Sequence, residues 1–120
     1  MDKVVDLDIL RPEKRMIKLN GKTIDVSFIP LAISFEVDEL LNKLSQLKAD
    51  EKGEMDKPTM KEAFDLTIEL CAFFACVKDP DMNAEWFKKN VSAEQINSFA
   101  NEIKEALNRS YKGLEEYGKN

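Results

Sequence analysis

Asp79, Asp81, Asn83 and Glu85 place four oxygen-bearing side chains at alternate positions, the spacing with which the calcium loop of an EF-hand begins to surround its ion. The pattern then fails. The sixth position of such a loop needs glycine for its sharp turn and is Ala84, and the twelfth, where a bidentate glutamate closes the shell, is Asn90. The stretch reads instead as a solvated turn that caps a helix. Cys71 and Cys76 stand five apart on one expected helix, so they point to different sides, cannot bridge each other and cannot make a zinc site alone. They read as small buried hydrophobes, structural and free. The chain has no histidine, which excludes Ser-His-Asp and Cys-His catalysis and histidine-ligated metals. The carboxylate neighbours Glu36, Asp38, Glu39 and Glu115, Glu116 fall on expected solvated faces, with no apolar pocket to raise a pKa for acid-base work. The 4 glycines form no phosphate-cradling pattern. Neither an enzyme nor a cofactor or metal site is expected.

The elements that would position these residues are organised around Thr59 to Val77. The first half of this stretch carries Met60, Ala63, Phe64 and Ile68 at helical spacing, with charged residues elsewhere around it. From Leu70 to Val77 there is no polar side chain, so that half needs cover on all sides, from other helices or from a partner. Thr59 and Glu62 fit a capping box, and Pro58 argues against helix before them. Phe73, Phe74, Trp86 and Phe87 supply more aromatic bulk than one short helical layer usually needs. They pack in the monomer core, or they form a protein interface.

Upstream, Asn20-Gly21 between two runs of alternating residues is a strong hairpin signal, because a type I′ turn needs positive φ at both positions. A two-residue loop pairs Leu19 with Lys22, Ile17 with Ile24 and Arg15 with Val26. It puts Ile17, Leu19, Ile24, Val26 and Phe28 on an apolar face, and Met16, Lys18, Thr23, Asp25 and Ser27 on a wet one. Before it, Val5, Leu7 and Ile9 alternate with Asp6 and Asp8, which predicts an extra edge strand over about 3–10. A first helix is expected from about Ser34 to Ala49, then a mobile solvated loop over 48–58. Short helical turns follow at Ala84 to Lys89. Ser92 and Gln95 make a capping box for a last helix whose stripe is Ile96, Phe99, Ala100, Ile103, Leu107, Tyr111 and Leu114.

The fold class is therefore α+β and mainly helical: an N-terminal strand and hairpin region over 1–30, then three to four helices over 31–117 around a central apolar helix. A length of 120 residues with 43% hydrophobic content makes one domain with its own core. The net charge is −5, with six basic and five acidic side chains in residues 1–30 and eight and fourteen in residues 31–101. Without a basic stripe, nucleic acid is not an expected partner. The apolar run is too short for a membrane span, and the N-terminus does not read as a signal peptide, so a soluble intracellular protein is expected.

Three places resemble the tail assembly chaperones of long-tailed phages and prophages of Gram-positive hosts. They are MIKLNGKTIDVSFIPLA, the apolar central helix, and AEWFKKNVSAEQINSFANEIKEAL, in which a Trp-containing turn and an Asn-Val-Ser cap lead into the last helix. The likeness spans about residues 13–110 and leaves the Val4 to Leu10 stretch unmatched. It implies a non-enzymatic, oligomeric protein of the bacterial host cytoplasm, absent from the mature virion. Such a protein coats the tape measure protein and helps tail tube protein assemble on it. In that family a longer product often arises by translational frameshifting. Two other classes remain open on the residues alone: another phage structural or adaptor protein of head-tail connector type, and a small regulatory protein-binding module.

Overall fold

Asn20 and Gly21 both take positive φ, 52° and 85°, and between them reverse the chain. The computed structural model describes residues 4–47 and 56–118, with side chains as far as residue 109. Strands β1 (Met16–Leu19) and β2 (Lys22–Asp25) pair antiparallel in the expected register, Leu19 opposite Lys22 and Ile17 opposite Ile24. The Val26 amide donates to the Arg15 carbonyl at 2.9 Å, which continues the pairing one step further. Leu19, Ile24 and Val26 are buried, so the apolar face of the hairpin joins the core. Ser27 departs from the expected wet face. It is buried, accepts from the Arg15 amide at 2.7 Å and donates to the Asp25 carboxylate, which satisfies its hydroxyl without water.

Four helices follow: α1 (Leu31–Gln46), α2 (Lys57–Cys76), α3 (Ala84–Asn90) and α4 (Ala93–Gly118). Helix α2 is central and packs against each of the other three. The whole is the expected mainly helical α+β arrangement. Helix α1 begins directly after Pro30, three residues earlier than expected. Ser34 lies in its first turn, and its hydroxyl donates back to the Leu31 carbonyl at 3.0 Å. Helix α2 also begins early. Asp56 is its cap, accepting from the Thr59 amide at 2.8 Å, and Pro58 lies inside the first turn. Proline costs nothing there, because first-turn amides have no helical acceptor in any case. The expected Thr59–Glu62 box is thus replaced by an Asp-Lys-Pro start. Of the loop expected over 48–58, residues 48–55 lie outside the described residues and 56–58 form this cap and turn.

The Ser92–Gln95 capping box is present in both directions: the Ser92 amide donates to Gln95 Oε1 at 3.0 Å and the Gln95 amide to Ser92 Oγ at 3.2 Å. It starts α4, whose Ile96, Phe99, Ile103 and Leu107 are buried together with Ala106. The side chains of Tyr111 and Leu114, expected on the same stripe, lie outside the described residues.

The expected edge strand is absent from the described part of 3–10. Leu7–Leu10 is a single 3-10 turn, and the only sheet among the described residues has two strands. The aspartates that supplied the alternation are also the reason. Asp6 Oδ1 accepts the Asp8 amide at 3.0 Å, a local bond that competes with pairing, and aspartate is a poor strand residue.

Candidate protein-binding groove

Phe73 and Phe74 are neighbours on α2, and a step of roughly 100° per residue sends them to different sides. Phe74 is wholly buried and meets Phe99 edge-to-face at 6.1 Å. Phe99 meets Phe87 at 5.9 Å, and Phe87 meets Trp86 at 5.0 Å with the planes at 90°. This chain of rings is the centre of the core, so Phe74 and Phe87 are removed from the candidate interface. Trp86 is half-buried at the outer end of the chain, with Lys22 Nζ 5.9 Å above its ring. It helps to hold the hairpin rather than presenting a free face. Of the four aromatic candidates, only Phe73 lies on an open apolar surface.

That surface is a groove of about 640 Å³ between α2 and α3, open to solvent. Ile68, Ala72, Phe73, Cys76 and Val77 line its α2 side and Ala84 its α3 side. On α2 these residues recur every three to four positions, so the lining follows the helix axis for about 14 Å from 68 to 77. Val77 is 54% exposed. It belongs to the run expected to need cover all round: Leu70, Cys71, Ala72, Phe74 and Ala75 are buried by the protein's own helices, while Phe73, Cys76 and Val77 are not fully covered. Asp65 and Glu69 border the groove along α2, and Lys88 faces them from α3. A second shallow depression, lined by Phe64, Ile68, Lys88 and Val91, adjoins it through the shared Ile68 and Lys88.

The α2–α3 connection keeps the two walls apart. Asp79 accepts Lys22 Nζ at 2.7 Å and the Asp81 amide at 3.1 Å, and Asn83 caps α3 by accepting from the Trp86 amide at 2.9 Å. The side-chain oxygens of Asp79 and Asn83, two of the four residues that resemble a calcium loop in sequence, are thus occupied by an ion pair, a turn and a cap. Met82, in the middle of this polar turn, is wholly buried and plugs the space under it. Sequence reading passed over Met82; the signal was a lone long apolar side chain in a polar turn between two helices. The Cys76 thiol donates to the Met82 carbonyl at 3.2 Å. Cys71 is buried, which pushes its thiol pKa well above the ordinary value and keeps it from acting as a nucleophile. Both thiols are free.

The hairpin is fixed to the helices by polar ties at both ends. Arg15 donates in bidentate fashion to Glu102 of α4 at 2.6 and 2.8 Å, and Asn20 Nδ2 donates to the Asn90 carbonyl at 2.8 Å. Lys78 Nζ donates to the Asp25 carbonyl at 2.6 Å. Among the described residues no cluster of three or more His, Cys, Asp or Glu could hold a metal, and no helix is long and apolar enough to cross a membrane. What the groove offers is therefore carbon surface with charged borders, a shape and chemistry suited to the apolar face of another helix. No family model, curated protein or solved structure matches the chain.

Proposed function

We propose that this protein is a tail assembly chaperone of a long-tailed phage or prophage, a non-catalytic holder of the tape measure protein that acts in the host cytoplasm and promotes assembly of tail tube protein. The observation that carries the reading is the α2–α3 groove, where Phe73, Cys76 and Val77 leave the most apolar part of the central helix incompletely covered. A tape measure protein is a long helical chain with apolar stripes, and a groove of this kind covers one such stripe per bound copy. The order of hairpin, central helix, Trp-bearing turn and capped last helix supports the same family reading.

Self-association belongs to this proposal. Val4, Val5, Leu7, Ile9 and Leu10 are all more than 60% exposed on the N-terminal segment, and Leu31 and Phe35 are exposed one turn apart on α1. Such a concentration of apolar surface on a small protein marks an interaction site. A head-tail adaptor reading draws on the two-stranded sheet, to whose edge a neighbour could add a strand. A stable closed ring formed by the isolated protein would favour it.

Co-expression with the tape measure protein of the same genome tests the function. The expected result is a tape measure protein that is insoluble alone and soluble, in complex, beside this chain. A tape measure protein that remains aggregated in its presence would remove the reading.

A further inference from the structure

The groove's borders carry charge as well as carbon. Asp65 and Glu69 are both exposed and lie one turn apart on α2, a like-charge spacing that disfavours a helix slightly. Among the described residues neither carboxylate has an ion-pair partner: the ion pairs join Arg15 to Glu102, Lys22 to Asp79 and Lys43 to Glu39. Lys88 across the groove is also without one. An occupant lying along α2 thus meets two carboxylates beside the apolar lining on one border, and a single ammonium on the other.

We propose that the groove selects an amphipathic helix whose apolar stripe is flanked by lysine or arginine on the side that lies along Asp65 and Glu69. The inference rests on the reading of this groove as the client site and specifies which segment of a client it takes. Charge decides between occupants. The chain's own exposed apolar segment, Val4 to Leu10, carries Asp6 and Asp8 between its apolar residues and would bring carboxylates to carboxylates. A second copy also brings a net charge of −5. A basic-flanked helix gains two ion pairs with α2 where an acid-flanked one gains at most the one with Lys88. It also relieves the repulsion between Asp65 and Glu69.

The test uses the full-length protein and two synthetic helical peptides of about 14 residues. Both have the same Leu and Ile stripe at i, i+3, i+4 and i+7, and one flank is lysine in the first and glutamate in the second. Titration followed by fluorescence anisotropy is expected to show the lysine peptide bound about 3- to 10-fold more tightly at low salt, with the preference shrinking as salt rises. The preference should invert in Asp65→Lys/Glu69→Lys. In the neutral Asp65→Asn/Glu69→Gln, which serves if the charge reversal impairs folding, the lysine peptide should lose its advantage, leaving at most a weak pull of Lys88 on the glutamate peptide. Equal affinities, an unchanged preference in both variants, or no binding of either peptide would overturn the proposal. So would a self-associated protein whose dimer contact, rather than the peptide, fills the groove. Solubility of the tape measure protein is a separate readout. A protein that holds it while ignoring both peptides sinks the charge selection alone, and one that prefers the lysine peptide yet fails to hold it sinks only the chaperone reading.

Discussion

At the scale of single residues, the division of Phe73 from Phe74 decides which ring is left on the open groove proposed to take a partner. Both look alike in sequence, because the run from Leu70 to Val77 is apolar on every side and carries no phase to say which face looks inward. The neighbours that set the phase, Phe99 and Phe87, come from other helices. Phe74→Ala is expected to cost about 3–5 kcal/mol, measured by urea unfolding, since it removes a wholly buried ring from the aromatic chain. Acid should weaken the fold through named carboxylates. Hydrogen bonding by the Ser27 hydroxyl holds Asp25 below its ordinary pKa, and hydrogen bonding by Arg15 does the same to Glu102. A carboxyl whose pKa is lower folded than unfolded contributes stability that is complete above the unfolded values of about 3.9 and 4.3 and disappears as pH falls through the folded ones. The urea midpoint should therefore fall between pH 5 and pH 3, and less steeply in Ser27→Ala. A midpoint flat across that range would contradict these assignments.

At the scale of elements, local chemistry was legible wherever it is self-contained. The Asn20-Gly21 turn, its register and the Ser92–Gln95 box all follow from short-range geometry, and each is found as the residues predict. Gly21→Ala tests the turn: the position has φ of +85° with open space around it, so the cost is conformational alone, about 1–2 kcal/mol by thermal or urea unfolding. Elements that have a competing local bond were misread. Alternation at Val5 to Ile9 suggested a strand, but Asp6 bonds its own neighbour's backbone instead. Pro58 suggested a boundary, but its place in the first turn of α2 lets Asp56 cap the helix two residues before it. Of the groove, the sequence shows an apolar run on α2 that needs cover, but not that Phe73, Cys76 and Val77 are the part left open. The opposite wall was not legible, because the position of α3 depends on Met82 beneath the turn and on the Lys22–Asp79 pair above it, and both are tertiary contacts.

At the scale of the whole molecule, besides the exposed Leu31 and Phe35 of α1, two apolar features remain open among the described residues of this protein of net charge −5, the α2–α3 groove and the N-terminal segment. These two are expected to have different occupants. If the N-terminal segment mediates self-association, sedimentation over a wide concentration range should show a larger species that Leu7→Asp/Ile9→Asp reduces to monomer. A wild type that sediments as monomer throughout would assign the segment no such role. The groove is the centre of the functional account, and Val77 is the place to test it, because the side chain is 54% exposed and its replacement need not disturb the core. The most direct measurement is the affinity of the tape measure protein for wild type and for Val77→Asp, with circular dichroism and urea unfolding as controls for folding. The expected result is a variant that folds like wild type and binds at least about 10-fold more weakly, since a carboxylate in the groove must be desolvated when an apolar stripe covers it. A folded Val77→Asp that binds the tape measure protein as tightly as wild type would contradict it.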